Sequence, residues 1–214
     1  MTSCHNIMSK RIFHKLCEGG DSMPSQTFLN LDVNKQKKLI DAAMIEFSNH
    51  EYPEVSINQI IMNAGISRGS FYMYFKDKDE LFEYLIQINK MKLHELTKKV
   101  FIRNDGELYN SFLELYDSIV DYVVSHNYQG MFKNIFIYFD SHKKHFHKPG
   151  FFLFMSVKDL IKADNLRDEE LEFSFVMLLH HLFMTVTYCI NNDCLDDKEQ
   201  FIRKLNILCY GIYK

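Results

Sequence analysis

A short run of the sequence, residues 67–70, brings together two hydroxyls, a guanidinium and a glycine. An arginine such as Arg68 can donate two hydrogen bonds to O6 and N7 of guanine, the commonest specific contact in the major groove. Gly69 leaves room for a base edge or a thymine methyl, and the hydroxyls of Ser67 and Ser70 suit phosphate oxygens. These residue types in this order predict contacts to DNA.

The other groups that could do chemistry do not form a recognisable set. His142, His145 and His147 lie close together in a lysine-rich stretch, but no carboxylate or cysteine completes a zinc set with them. The five cysteines form no C-x-x-C pair, and their odd number is typical of reduced thiols in a cytoplasm. P-loop, G-x-S-x-G, H-E-x-x-H and dinucleotide motifs are absent from the sequence. We therefore expect no enzyme activity, no metal site and no cofactor.

The sequence around residues 67–70 has the pattern of two helices joined by a tight turn. Ser56 with Gln59 forms a capping box that opens the first helix, and Gly65 stands where a left-handed residue ends it. Ser67 is a good N-cap for a second, short helix. A helix-turn-helix of this kind lays its second helix in the major groove of DNA.

The charge pattern permits a DNA partner. The chain carries a formal net charge of −3, and the excess of acidic residues lies in the C-terminal part, from residue 100 onwards. Between Val55 and Lys76 there is no Asp or Glu, so this stretch can approach phosphates without repulsion.

Residues 55–81 resemble the signature of the tetracycline-repressor (TetR) family of bacterial transcription regulators. The stretch reads V-S-I-N-Q-I-I-M-N-A-G-I-S-R-G-S-F-Y-M-Y-F-K-D-K-D-E-L. It contains a Ser that opens the first helix, the Ala-Gly-Ile-Ser turn and a Phe-Tyr-x-Tyr-Phe-x-x-Lys tail. The resemblance extends over about 50 residues and implies an all-helical homodimer that binds operator DNA.

The resemblance also implies roles for single positions. The positions that face bases in the family are here Arg68, Gly69 and Met73. The positions that contact phosphates are Tyr72, Tyr74 and Lys78. Ser56 and Asn58 would touch the DNA backbone or an edge base, whereas Ile57 departs from the polar residue that some members have there. The two tyrosines have an alternative interpretation as ordinary half-buried surface aromatics.

Beyond the signature the pattern stays helical, and the whole chain is predicted to form about nine helices. The expected fold is all-α, with a three-helix DNA-binding domain at 33–78 and a helical effector-binding and dimerisation domain at 79–214. Residues 1–22 lack periodicity and are interpreted as a flexible extension or an artificial leader. Because no secretory signal is apparent and no apolar run approaches the length of a membrane span, we expect a cytoplasmic protein without a membrane partner.

Two sets of side chains in the second domain are predicted to bind partners. In the TetR family the last two long helices pair with those of a second copy as a four-helix bundle. The residues that would form this interface are Leu171, Phe175, Leu178, Leu179, Leu182, Phe201, Leu205 and Leu208. The central helices, rich in Phe and Met, predict a pocket for a small apolar or aromatic effector. Its predicted lining is Phe132, Phe136, Phe152, Met155, Met177, His180 and Met184. Every one of these residues has an alternative as plain core.

These observations leave three functions open. The first is a repressor that a small-molecule effector releases from a palindromic operator. The second is a helix-turn-helix DNA-binding protein without an effector, controlled by a partner protein. The third is a helical enzyme that uses the histidine-rich C-terminal half, for which no motif is present. A measurable effector response separates the first two.

Overall fold

The computed structural model of the chain describes residues 24–141, 149–162, 168–192 and 198–210. All regular secondary structure in these ranges is helical, which confirms the predicted all-α class. The N-terminal helices are α1 (Gln26–Leu29), α2 (Val33–Asn49), α3 (Ile57–Ala64), α4 (Arg68–Tyr74) and α5 (Lys78–Arg103). They are followed by α6 (Leu108–Ser125), α7 (Gln129–Ser141), α8 (Pro149–Val157), α9 (Asp168–Asn191) and α10 (Lys198–Tyr210). Two 3₁₀ turns lie at Tyr52–Glu54 and Lys158–Leu160.

The chain divides into two compact units, with the boundary between Lys90 and Met91. This boundary lies inside the long helix α5, so the helix contributes residues to both units. The sequence places the domain boundary after residue 78, at the beginning of the same helix. The histidine cluster at 142–147 lies outside the described residues.

The N-terminal unit is built around buried aromatic rings. Phe47 of α2 lies 4.5 Å from Phe82 of α5, measured between ring centroids, and Tyr52 lies 5.0 Å from Phe82. Phe28 of α1 is fully buried and lies 4.9 Å from Phe75. The short helix α1 is therefore part of the folded unit, although the predicted DNA-binding domain begins only at residue 33.

The predicted turn between the two short helices is confirmed. Gly65 has φ +66° and ψ +37°, the left-handed conformation that glycine adopts without strain, and its N–H reaches back to the end of α3. Ser67 caps α4, because its hydroxyl oxygen accepts a hydrogen bond from the N–H of Ser70 at 3.0 Å. The turn between α3 and α4 is thus shaped by one backbone conformation and one cap.

The core of the C-terminal unit lies between the end of α5 and helices α6, α8, α9 and α10. Phe101, Phe112 and Phe175 form a group of rings with centroid separations of 5.4 to 6.2 Å. Tyr116 stacks on Phe201 at 4.5 Å, between helices α6 and α10. Burial of such rings is a large apolar contribution to stability.

One connection in the C-terminal unit leaves no space for a side chain. Gly106, between α5 and α6, has φ +77°, and its carbonyl accepts a hydrogen bond from the N–H of Lys162 at 3.0 Å. A Cβ atom at this position would lie 1.8 Å from the carbonyl oxygen of Leu160. Glycine is required here both for its backbone conformation and for this close approach.

One helix in the described ranges, Glu170–Asn191, is long and apolar enough to cross a membrane by length and composition alone. Core helices of globular proteins also meet this criterion. Here Phe175, Leu178, Leu179 and Leu182 of the same helix are buried in the core of the C-terminal unit.

Candidate nucleic-acid interface

The recognition helix α4 has a buried side and an exposed side. Phe71 is fully buried among aromatic neighbours, while Arg68, Gly69 and Met73, the residues predicted to face bases, are all exposed. Tyr72 is also exposed, at 46% of its surface. The structure therefore brings the predicted base-facing residues together on the surface of one short helix.

The start of α4 is held by its own serines. The hydroxyl oxygens of Ser67 and Ser70 lie 2.8 Å apart, so these groups are bonded to each other in addition to the cap. A Cβ atom added at Gly69 would meet nothing closer than the Ser67 hydroxyl oxygen at 3.9 Å. Gly69 is therefore not required by packing within the chain, unlike Gly106. The exposed helix N-terminus offers N–H groups to an anion.

Arg68 makes two contacts that determine where its side chain lies. Its Nη1 donates a hydrogen bond to Oδ1 of Asn58 in α3 at 2.9 Å. Its guanidinium carbon lies 5.6 Å from the ring centroid of Tyr72, one turn along α4. Asn58 and Tyr72, both predicted to contact DNA, thus also contact Arg68.

The first residue of the helix-turn-helix is held from the preceding helix. The Ser56 hydroxyl accepts a hydrogen bond from the N–H of Gln59 at 3.3 Å, as predicted for a cap. The reciprocal bond comes from elsewhere, because Oε1 of buried Glu46 accepts from the N–H of Ser56 at 3.0 Å. The Gln59 side chain donates instead to Asn63. The first hydrogen bond of the predicted capping box is therefore present, and Glu46 of α2 replaces Gln59 in the second.

Lys78 lies at the start of α5, as predicted, but its ammonium already has partners in the chain. Nζ donates to the carbonyl oxygens of Tyr52 at 2.7 Å and Pro53 at 3.2 Å, and it lies 4.8 Å from the Tyr52 ring centroid. Partial burial lowers the pKa of Lys78, and the nearby Asp79 carboxylate opposes this shift. Lys78 thus links α5 to the 3₁₀ turn, and its contact with phosphate remains a prediction.

The end of α4 is covered by residues that precede the predicted domain. The N–H of Ser25 donates to the carbonyl oxygen of Tyr74 at 2.9 Å, and its hydroxyl donates to that of Met73 at 2.5 Å. The ring of Phe28 lies 5.9 Å from that of Tyr74. Tyr74 is half-buried by this arrangement, whereas Tyr72 is not.

Of the residues predicted to line an effector pocket, the five whose side chains the structure describes are not gathered around one interior space. Met155, Met177, His180 and Met184 are exposed, and Phe132 is half-buried against the core. The side chains of Phe136 and Phe152 lie outside the described part of the chain. The pocket remains a prediction. No group of three or more metal-ligating side chains occurs among the described residues.

Of the eight residues predicted to form a dimer interface, seven are buried in the core of the C-terminal unit. Buried in its core are Leu171, Phe175, Leu178, Leu179, Leu182, Phe201 and Leu205, and only Leu208 is exposed, at 41%. A side chain packed within its own unit is not available to a second copy, so this assignment needs correction. The exposed apolar residues of the same two helices are Phe173, Met177, Met184, Tyr188, Ile207, Leu208 and Tyr210. The apolar side chains of α9 that face solvent are therefore not those that the sequence assigned to the interface.

Two contributions to the site are not predicted from the sequence. Glu46 lies among the buried positions of an amphipathic helix, and a charged residue in such a position is a signal for a polar partner. Ser25 and Phe28 precede the periodic region, and the signal there is a capping serine three residues before an aromatic ring.

These features define an all-helical protein with an N-terminal helix-turn-helix domain. The family profile described as bacterial regulatory proteins of the tetR family matches residues 39–85. Residues 39–85 of this chain are therefore similar to the DNA-binding domain of that family.

Three curated relatives each match part of the chain. The HTH-type transcriptional regulator YdgC of Bacillus subtilis is 32% identical over 72 residues, 34% of this chain and 37% of YdgC. YwcC of the same species is 35% identical over 66 residues, 31% of this chain and 27% of YwcC. AcrR of Shigella flexneri is 24% identical over 90 residues, 42% of each chain. The matched stretches thus span less than half of each relative.

Solved structures extend the likeness to the whole fold. FadR from Bacillus subtilis, solved in complex with stearoyl-CoA, has a TM-score of 0.56 at 16% identity and covers 83% of this chain and 99% of FadR. FadR from Bacillus halodurans has a TM-score of 0.55 at 16% identity, with the same coverage. At this level of identity the likeness concerns the fold.

Proposed function

We propose that this chain is a sequence-specific DNA-binding transcriptional regulator, a repressor that a small-molecule effector releases from a palindromic operator. The observation that carries DNA binding is the exposed surface of α4, where Arg68, Gly69 and Met73 project from a helix whose other side is buried. A helix of this kind fits the major groove, where an arginine can read guanine. The match of residues 39–85 to the tetR family profile supports the same interpretation.

The DNA-binding experiment is selection from random duplexes, followed by affinity measurements on the selected sequence. Arg68→Ala is expected to weaken binding by about 1–3 kcal/mol and to relax the preference at one base step. Binding and base preference that are unchanged in Arg68→Ala would contradict readout by α4. Lys78→Ala is expected to weaken binding to all sequences and to reduce its salt dependence. Its loss of contacts to Tyr52 and Pro53 makes unfolding measurements a necessary control.

The proposed dimer uses the exposed apolar stripe of α9. Phe173, Met177, Met184 and Tyr188 lie on one helical face, at spacings of four and seven residues, and each is at least 41% exposed. Exposed apolar side chains along one helical face are typical of an interaction surface, and the exposed His180 lies on the same face. We assign a second copy to it because dimerisation gives two recognition helices for a palindromic site.

The dimer is tested by changing one residue in this stripe. Met184→Lys is expected to yield monomers in a mass measurement and to lose tight binding to the selected duplex. Val124→Lys is the matched control, because Val124 is an equally exposed apolar residue on α6, at 49% against 54% for Met184. A dimer that persists in Met184→Lys, or is lost equally in Val124→Lys, would contradict this interface.

The proposed effector binds the C-terminal unit and acts through α5, which begins near the DNA-contacting residues and continues into that unit. A ligand can release DNA only if it binds more tightly to the form that binds DNA poorly. Stearoyl-CoA is the first compound to test, because it is bound by FadR, which shares the fold. Its affinity, measured with and without the selected duplex, is expected to differ about 5- to 150-fold. Equal affinities would favour control by a partner protein.

A further inference from the structure

We propose that Asn58 is a positioning residue that selects the base read by Arg68, with the Tyr72 ring as a second contact of the guanidinium. The proposal rests on the proposed DNA-binding function and assigns a mechanism to its specificity. Asn58 belongs to α3, and Arg68 and Tyr72 belong to α4, so the three side chains join both helices of the motif.

The hydrogen bond from Arg68 to Asn58 divides the donors of the guanidinium. Its Nη1 donates a hydrogen bond to Oδ1 of Asn58 at 2.9 Å, so this nitrogen already has a partner within the chain. The edge formed by Nε and Nη2 carries two parallel N–H groups, which match the O6 and N7 acceptors of guanine. The bond to Asn58 therefore restricts the rotamers of Arg68 and leaves the Nε and Nη2 edge to face the base.

The same bond orients the amide of Asn58. Because Oδ1 faces Arg68, the Nδ2 group faces away and has two donors for a phosphate or for a neighbouring base acceptor. One residue of α3 thereby connects a DNA contact of its own to the base contact made from α4. An aspartate at this position would keep the acceptor but lose both donors and add a repulsive charge.

Tyr72 provides a second contact that limits the movement of the guanidinium. The distance of 5.6 Å between the guanidinium carbon and the ring centroid is within the range of a cation–π contact. Residues four apart lie above each other on a helix, so the ring remains beside Arg68 as long as α4 is folded. Tyr72→Leu removes the aromatic ring, whereas Tyr72→Phe keeps the ring and removes only the hydroxyl. Comparing the two variants distinguishes the contact of the ring with Arg68 from a contact of the hydroxyl with phosphate.

The experiment compares the selected duplex with the same duplex carrying 7-deazaguanine, which lacks the N7 acceptor, at the guanine that Arg68→Ala identifies. Discrimination is the ratio of the two dissociation constants. Asn58→Ala is expected to lower discrimination about 5- to 10-fold, and to lower it less than about 2-fold when Arg68 is already alanine. Tyr72→Leu is expected to lower discrimination as Asn58→Ala does. Tyr72→Phe is expected to weaken binding to both duplexes by the same factor, through loss of the hydroxyl, and so to keep their ratio.

The outcomes separate this proposal from the proposed function. If Arg68→Ala leaves discrimination at every guanine unchanged, base reading by α4 is wrong and the positioning role of Asn58 fails with it. If Arg68→Ala lowers discrimination but Asn58→Ala does not, the proposed function stands and the positioning role is overturned. An equal loss from Asn58→Ala in both backgrounds also overturns it, because Asn58 would then act independently of Arg68. Binding of Asn58→Ala to random duplexes tests whether its own phosphate contact was lost.

Discussion

Glu46 and Ser56 are joined by a hydrogen bond that connects helix α2 to the first residue of the helix-turn-helix. Oε1 of the buried Glu46 accepts the N–H of Ser56 at 3.0 Å, and Oε2 lies 3.8 Å from Nε2 of His50. The start of α3 is therefore placed by a side chain ten positions earlier in the sequence.

Replacement of Glu46 is expected to lower the free energy of unfolding, and by less when the new side chain still offers an oxygen to the Ser56 N–H. Glu46→Gln keeps an oxygen for the Ser56 N–H and should cost less than about 1 kcal/mol, whereas Glu46→Ala removes it and should cost about 2 kcal/mol. The free energy of unfolding, measured with urea, tests this order. Equal losses in the two variants would show that the bond contributes little.

Gly69→Ala is expected to separate DNA binding from folding. A Cβ atom has open space within the chain, and alanine is about 0.5–1 kcal/mol more favourable than glycine inside a helix. The variant should therefore be slightly more stable and bind the selected duplex more weakly, because the added methyl lies where a base edge approaches. Thermal unfolding and affinity are measured on the same preparation. Unchanged affinity would place Gly69 away from the bases.

The glycines at 65 and 106 give a matched pair. Both have positive φ, +66° and +77°, but only Gly106 faces a backbone oxygen, which a Cβ atom there would approach to 1.8 Å. Gly65→Ala is expected to cost about 1–2 kcal/mol from its conformation alone, and Gly106→Ala more, because Leu160 must also move. Urea unfolding of the two variants provides the comparison. A smaller loss for Gly106→Ala would contradict the close approach of Leu160 to this glycine.

Stability is expected to fall as the pH drops below 6.5. Burial is the main cause that lowers the pKa of His181, with smaller contributions from Lys204 and His180, while a hydrogen bond to the Phe201 carbonyl opposes the shift. Because the unfolded chain binds the proton more readily than the folded one, acid favours unfolding in the window between the ordinary and the lowered pKa. Above pH 6.5 this effect is absent.

His181→Gln should therefore reduce the loss of melting temperature between pH 7.5 and about 5. His94, whose pKa is also lowered mainly by burial and further by Lys98, will retain part of the dependence. His126→Gln is the control, because that side chain is exposed and does not contribute to the pKa shift of His181. An identical pH profile in the His181→Gln protein would show that another group is responsible.

The parts of the fold that depend on local signals could be predicted from the sequence. The bounds of α3 and α4 follow from Ser56, Gly65 and Ser67, whose caps and left-handed turn act within a few residues. The partner of the Ser56 N–H could not be predicted this way, since Glu46 reaches it from another helix.

The second domain shows a different limit. The apolar residues of α9 follow helical periodicity on more than one face, so periodicity alone does not tell the inner face from the outer one. Phe175 and Phe173, only two positions apart, are 0% and 68% exposed. Which of them is buried is decided by packing against α6, α8 and α10, contacts that the periodicity of α9 alone does not reveal.

The contacts of Ser25 and Phe28 determine how short a separate DNA-binding fragment can be. A fragment that begins at Val33 would lose a ring that is completely shielded from water, together with both hydrogen bonds to the last turn of α4. Phe75 and Tyr84 would then face solvent where Phe28 had covered them. The residues ahead of the family signature thus cover the aromatic cluster, and a separate DNA-binding fragment should therefore include both Ser25 and Phe28.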